Sequence, residues 1–526
     1  MTARRAGLAV AAIAVAGALL RLWLAWYQYP VTGDPVFSYS YRALLLAHGE
    51  PAGLFLMWHP PGYPLLLAAV AWLTLGLASP YAAGVGLSAA ASAALVWIVD
   101  RLAADCVRWP VTRIAVASFV AFYEGLATVA AAPLTEPVYL ALLYGAVLAA
   151  TAARITTRRA LAIGGLLGLA ATLRLEGMAP LAGLCLYLGL RPRPSQETAE
   201  TGGARPWPAV WMAVAGLAVC AWIPLAAFGA ADSEASIFYR QGLTIPAAAG
   251  IAGQIRRAVE CVYLALVEWL PQTILLPYFA LAAVGLAATW SRPRTARLDR
   301  LLAAALLPQL ALVVLTIMHK RSGAFLLPAV ALWLGFGLEF LARQGRASSL
   351  SRRAALFAAL AIAANLLQAG RIPFFFLKRG VARDPATFQQ ARLLTAAGAP
   401  PGKVWAFGGE PEVYTFWGVP VVYPFPERHR GYNQTYSSHA GEPSAFVAAL
   451  RAAGFSYLTF SLAPSSSEGA GEERQIYGDF AVQPRRADLA TIAGSPARLG
   501  LEPLGSLAAD RGSTRVYAFR IRGDRP

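Results

Sequence analysis

Apolar stretches of spanning or near-spanning length recur along the chain from residue 6 to residue 371, and then stop. They fall near 6–26, 80–100, 114–132, 137–153, 160–173, 177–190, 207–229, 273–290, 300–318, 323–342 and 353–371. A helix crossing a bilayer needs about 20 consecutive apolar residues, so these runs predict membrane spans. One further run, 62–78 (GYPLLLAAVAWLTLGLA), is ambiguous by length alone. Within 160–190 two short runs meet at Arg174-Leu175-Glu176, which predicts a tight turn between two short helices. A helix of that length rises only about 21 Å, so the turn should sit slightly inside the membrane face.

After residue 371 the pattern shortens to β-like runs: KVWAF (403–407), VPVVY (419–423), SYLTF (456–460) and TRVYAF (514–519). Helical stretches at 443–453 and 484–492 come between them. Alternating short strands and helices predict a small α/β domain over 372–526, distinct from a membrane domain over 1–371. The tail carries no Gly-rich phosphate-binding fingerprint, and GG at 408–409 reads as a plain strand-to-helix turn.

Composition agrees with the pattern. Of the 526 residues, 57% are hydrophobic and only 14% charged, against about 25% charged in soluble proteins. The formal charge of +17 comes from 45 basic residues, 42 of them Arg. They sit in short loops between apolar runs, where the positive-inside rule accounts for them without nucleic acid. Charge also settles the ambiguous run. If 62–78 does not cross, the segments 4–5, 101–113, 154–159, 191–206, 291–300 and 343–353 share one side and hold 19 basic residues, against seven in the opposite short loops. If it crosses, five of those six segments move to the wrong side. The expectation is therefore eleven spans plus outer juxtamembrane helices, in a plasma (inner) membrane, with a cytoplasmic amino terminus and an extracytoplasmic tail. The first run lacks a small-residue cleavage site and is expected to remain as a span. Cys106, Cys185, Cys220 and Cys261 are too scattered for a disulfide framework or metal spacing.

With that orientation Asp34, His59, Glu136, Arg174, Glu176, His319, Lys320 and Arg321 all come out on the external face, near span ends. Ionisable residues at membrane depth are costly and usually mark function. Asp34, followed by Pro35, suits an N-cap opening an amphipathic helix over 35–48, whose apolar positions are Phe37, Tyr41, Leu44, Leu45 and His48. A base is the second local reading. His59 opens the rigid turn HPPGYP (59–64), and Glu136 sits in APLTEPVY (132–139) at a helix start, where the dipole favours a carboxylate. Arg174 and Glu176 could simply pair with each other. The His319-Lys320-Arg321 triplet runs against the positive-inside trend, and an anion such as a lipid phosphate would explain it.

An acid after the first span, an amphipathic helix and HPPGYP opening an apolar helix together resemble the GT-C glycosyltransferases. More narrowly, they resemble the protein O-mannosyltransferase and lipid A aminoarabinose transferase superfamily. LTEP (134–137), LAATLRLEG (169–177) and HKRSGAFLLPAVALWLGFG (319–337) follow in the family's order. The resemblance covers roughly residues 6–345 and implies a polytopic α-helical GT-C fold. It implies transfer of a sugar from a polyprenyl-phosphate donor to an acceptor hydroxyl, with Asp34 as general base and inversion at the anomeric carbon. It also implies that Glu136 holds or orients substrate, and that His59 and Tyr63 lie near the sugar. Arg174 and Glu176 would face the cavity, and Lys320 and Arg321, with His319, would meet the lipid phosphate. Pro35 stands where many members carry a second acid, so no metal site is expected and a divalent cofactor is not favoured. The acceptor class (glycan, lipid or protein) stays open, as do the sugar and the oligomeric state. A secondary transporter or lipid flippase is the competing reading. Transporters usually bind at the midplane between repeated halves, and no repeat is visible here.

Overall fold

The computed structural model describes residues 3–28, 39–50, 60–104, 106–152, 155–190, 207–221, 276–290, 293–315, 320–343, 386–400, 404–406, 441–462, 486–509 and 514–522, with isolated positions between them. The first part is a bundle of helices. They are α1 (Ala3–Gln28), α2 (Tyr41–Ala47), α3 (Gly62–Leu73), α4 (Pro80–Ala104), α5 (Pro110–Phe122) and α6 (Glu124–Val129), then α7 (Glu136–Ala150), α8 (Thr157–Leu173) and α9 (Met178–Leu190). After these come α10 (Trp207–Cys220), α11 (Leu276–Trp290), α12 (Pro293–Leu315) and α13 (Leu327–Arg343). Among the described residues, three helical stretches are long and apolar enough to cross a membrane: Arg4–Tyr27, Pro80–Ala104 and Gly323–Arg343. Shorter apolar helices fill the bundle around them. Leu8, Val15 and Trp26 stand exposed along α1, as expected of a face whose solvent is lipid. It is a membrane protein.

Small residues set the closest helix crossings, as is usual where lipid removes the hydrophobic drive for association. A Cβ on Gly164 or Gly168 of α8 would collide with the backbone of Met212 or Gly216 on α10. Gly285 of α11 and Gly337 of α13 meet in the same way. α3 has only 12 residues, a rise of about 18 Å and too short to cross a hydrocarbon core of about 30 Å.

Cross-bundle contacts show which helix ends lie together. At one end, the ring of Phe119 near the end of α5 meets Tyr278 at the start of α11, with centroids 5.2 Å apart. Arg21 of α1 donates to the carbonyls of Ala121 (2.7 Å) and Val120 (3.3 Å), closing the last turn of α5 with a cation where the dipole favours one. At the other end, Asp100 near the end of α4 pairs with Arg113 at the start of α5. Arg297 near the start of α12 bonds the carbonyls of Ala150, the last residue of α7, and of Ala152 just past it.

Two elements depart from the sequence reading. The run 114–132 is not one helix: Tyr123 adopts an extended backbone (φ −61°, ψ 129°) between α5 and α6. There its ring stacks on Phe119, 4.5 Å between centroids. The described part of the expected amphipathic helix, α2, is more buried than an interfacial helix should be. Tyr41, Arg42, Leu44 and Leu45 are all buried, and only His48 of the named positions is exposed. Phe37 lies outside the described residues. So do most of the expected span 353–371 and the expected domain boundary at 371–372.

The tail forms α14 (Ala386–Ala396), β1 (Val404–Ala406), α15 (Pro443–Ala452), β2 (Tyr457–Leu462), α16 (Arg486–Gly494), β3 (Leu501–Ala509) and β4 (Thr514–Ile521). The sheet order is β1-β2-β4-β3, with β1 parallel to β2 and the other pairs antiparallel. Alternation puts Trp405, Leu458, Phe460 and Phe519 in a core with Phe446 and Leu450 of α15. Val404, Ala406 and Tyr457 form a second core with Ala391 and Leu394 of α14. The runs 403–407, 456–460 and 514–519 are strands as expected, while VPVVY lies outside the described residues. β3 was not expected, because LEPLGSLAA carries Pro503 and Gly505. It is an edge strand with a register irregularity between those two residues, where proline is tolerated.

Candidate functional site

Three short segments build the site at the end of the bundle where α7 begins. Pro137 fixes the first turn of α7 and leaves Glu136 at its head, buried. α8 stops at Leu173. Arg174 is extended (φ −146°, ψ 125°), and Leu175–Gly177 make one 3-10 turn before α9. HPPGYP supplies the third segment: a Cβ on Gly62 would collide with the backbone of Thr172. Glycine there lets the start of α3 press directly on the end of α8, two residues before Arg174.

The charged groups converge on Arg174. Its Nη1 donates to Glu136 Oε1 at 2.8 Å and its Nη2 to Glu176 Oε1 at 3.1 Å. The guanidinium is one-fifth exposed and the Glu136 carboxylate less than one-tenth. Burial works against the charged guanidinium, but the carboxylates of Glu176 and Glu136 outweigh it and hold its pKa above the ordinary arginine range. The remaining acceptor capacity of Glu136 is lightly used. Thr135 Oγ1 reaches Oε2 only at 3.4 Å, near the limit for a hydrogen bond. Two carboxylates thus share one guanidinium.

Buried hydroxyls surround this cluster. Tyr63 of α3 is fully buried, meets the ring of Tyr39 edge-on at 5.2 Å, and faces Ser88 and Glu136. Tyr139, one turn along α7 from Glu136, faces Gln309 of α12 and lies within electrostatic reach of Arg174 and Glu176. The Tyr63 hydroxyl is directed at Ser88 and the Tyr139 hydroxyl at Gln309. Tyr144, further along α7, donates to Phe325 O at 2.7 Å and accepts from Ala329 N at 3.0 Å. It thereby fastens the 3-10 segment Lys320–Leu326 and the start of α13 to the helix that carries Glu136.

Of the residues singled out from sequence, Glu136, Tyr63, Arg174 and Glu176 come together at this end. The backbone of Lys320 and Arg321 belongs to the 3-10 segment that Tyr144 secures. Asp34, His59 and His319 lie outside the described residues. Sequence reasoning anticipated the Arg174–Glu176 pair but not its extension to Glu136. It missed Tyr139 and Gln309, which sit in apolar helical runs. The signal available was a lone glutamine beside Pro308 in the middle of a span. Among the described residues, no three His, Cys, Asp or Glu side chains gather as a metal site.

No family model matches the chain, and no curated protein matches it by sequence. Solved structures do. ArnT from Cupriavidus metallidurans, bound to undecaprenyl phosphate, superposes with a TM-score of 0.58 over 98% of each chain at 13% identity. The same protein in its apo state gives 0.54, over 96% of this chain and 97% of that one, also at 13% identity. The oligosaccharyltransferase AglB from Archaeoglobus fulgidus, in complex with an inhibitory peptide and a dolichol-phosphate, gives 0.51 at 13% identity, over 86% of this chain and 69% of that one. These proteins are GT-C membrane glycosyltransferases. The chain has the GT-C fold. In GT-C terms, the helical bundle and the mixed-sheet tail are both part of the match, because the superposition with ArnT runs nearly end to end.

Proposed function

We propose that this protein transfers a sugar from a polyprenyl-phosphate carrier to an acceptor hydroxyl, at the membrane face opposite its amino terminus. The observation that carries the reading is the end-to-end fold likeness to a protein solved with undecaprenyl phosphate. It is supported by AglB, solved with a dolichol-phosphate, and by the gathering of Glu136, Arg174 and Glu176 at one bundle end.

The acceptor hydroxyl attacks the anomeric carbon while Asp34 removes its proton, which is general base catalysis worth about 10²–10⁴-fold. The bond to the lipid phosphate breaks on the opposite face of the sugar, so the configuration inverts. The departing phosphate gains negative charge, which Lys320, Arg321 and His319 stabilise. Glu136 and Glu176, oriented by Arg174, accept hydrogen bonds from sugar or acceptor hydroxyls, and His59 and Tyr63 line the sugar. The division of charge supports this assignment. Carboxylates accept from hydroxyl donors and repel phosphate, whereas the 319–321 segment is cationic. No metal is assigned a role.

Incubating the purified protein with radiolabelled polyprenyl-phosphate sugars and membrane extract tests the reading. Label should leave the lipid and appear on a glycan, lipid or protein acceptor. Label that stays on the carrier with every sugar, or crosses sealed vesicles without a covalent product, overturns it in favour of a transporter.

A further inference from the structure

The turn between α3 and α4 combines three properties that contact with water does not explain together. Its side chains are large, apolar and unpacked: Trp72 and Leu73 are each 72% exposed, Leu75 90% and Leu77 92%. Its backbone is strained. Leu75, with φ 52°, is the one non-glycine residue with positive φ among the described residues. Glycine and asparagine enter that left-handed region at least cost, yet a leucine sits there and gains almost no packing against the protein. Its amides are satisfied without water. Thr74 N–H donates to Val70 O at 3.0 Å, Leu75 to Trp72 O at 2.9 Å, Gly76 to Ala71 O at 2.9 Å and Leu77 to Thr74 O at 3.0 Å. Ala78 N–H reaches Thr74 Oγ1 at 3.4 Å, and that hydroxyl donates back to the carbonyls of Val70 and Ala71. A turn in water can leave such donors to solvent, whereas a turn against lipid has to satisfy them itself.

Packing fixes the level of this turn. Gly62 at the start of α3 presses on Thr172, and Gly84 in the second turn of α4 lies so close to Pro133 that a Cβ would collide with it. Both neighbours belong to the end of the bundle where Glu136 and Arg174 meet. α3 therefore lies across that end instead of running through the bundle, and its last turn stands at the level of the membrane face. Residues 60–99 carry no charged side chain. The turn also leads into the exposed row Ala82, Gly86, Ala90, Ala94 and Trp97 of α4, a helix long and apolar enough to cross the membrane. We infer that Trp72, Leu73, Leu75 and Leu77 form an anchor inserted into the leaflet on the site side, with the acyl chains of bulk lipid as its occupant. Such insertion reaches about 5–10 Å into the boundary between headgroups and acyl chains, a level that suits tryptophan. The buried face of α3 carries Tyr63 at the site, so the anchor fixes the level of the site against the bilayer. The inference goes beyond the transfer reading and does not depend on it.

The test is fluorescence quenching on the full-length protein in lipid nanodiscs. Leu75→Cys and Leu77→Cys, each made with Cys106, Cys185, Cys220 and Cys261 replaced by alanine, are labelled with an environment-sensitive fluorophore. Ala490→Cys, at an exposed position of α16, gives the aqueous reference. Labels at 75 and 77 should emit to the blue of that reference, lose most of their intensity to lipids carrying a nitroxide on the acyl chain, and resist iodide. The difference between wild-type and Trp72→Phe intrinsic emission should show the same quenching, and this arm stands even where the cysteine-free protein fails to fold. Iodide quenching as strong as at position 490 puts the turn in water and overturns the inference. Shielding from both quenchers also overturns it, because protein then covers the turn: a second copy where the shielding vanishes at one protein per nanodisc, another segment of this chain where it persists. Nitroxide quenching that added undecaprenyl phosphate relieves makes the carrier chain the occupant and overturns the assignment to bulk lipid.

Discussion

The two ends of the helix bundle both carry buried charge but use it differently. At the end where α4 and α13 finish, Asp100 and Glu339 each have a partner for both oxygens, while Asp299 on α12 leaves Oδ2 without one. Asp100 takes both its bonds from Arg113, Nε at 2.9 Å and Nη2 at 2.6 Å. Glu339 accepts from Trp109 N at 2.8 Å and from Arg343 at 2.9 Å, whose guanidinium also lies 5.8 Å from the Trp109 ring. Each of these pairs ties the end of one helix to the start of another. At the Glu136 end, one arginine is divided between two carboxylates. Saturated pairing is what a staple needs. Residual charge and unspent hydrogen-bonding capacity are what a polar ligand needs.

The sharpest way to break this contrast is Asp34→Asn, which removes the proposed base. Turnover should fall about 10³-fold, while donor binding and folding, followed by binding assay and circular dichroism, stay near wild type. Near-normal turnover would remove Asp34 from the mechanism. Arg174→Leu should come next. It leaves two carboxylates facing each other at a buried site, at a cost of about 3–5 kcal/mol, read as a lower melting temperature together with lost transfer. Arg174→Lys restores the charge but not the fork that reaches two acids, so it should recover stability better than activity.

The same contrast explains what could be read from sequence. Helices were legible because lipid imposes long apolar runs, and the turn at Arg174 was legible because two charges interrupt one. Arg174–Glu136 was not, because its partners lie 38 residues apart and only packing shows which helix ends meet. Tyr139 looks like any apolar-run aromatic until Gln309 is placed opposite it. The break at Tyr123 was hidden, since both flanks are equally apolar. Asp100 and Arg113 were counted as charges near a loop rather than as a pair. In the tail, β3 was obscured by Pro503 and Gly505, which are tolerated only because the strand is an edge.

At the opposite end, Asp100→Asn supplies the control. It leaves the Arg113 guanidinium short of its charge partner, and should cost about 1–3 kcal/mol, read by thermal unfolding in detergent. Turnover per folded molecule should not change. A selective loss of turnover would mean that the two ends are coupled and that the division between staple and site is wrong.

The smallest effect sharpens the contrast from within the site. Thr135 Oγ1 lies 3.4 Å from Glu136 Oε2, long for a hydroxyl donor whose bonds cluster near 2.7–2.8 Å. So little is gained from that contact that Thr135→Val, which keeps the shape, should change stability by less than about 0.5 kcal/mol. Turnover should stay within about twofold of wild type. If Thr135 instead held Glu136 in place, the variant would lose activity in step with Glu136→Gln, and the carboxylate would count as saturated like Asp100. A silent Thr135→Val beside a damaging Glu136→Gln is the pattern expected of an acid whose second oxygen is kept for substrate.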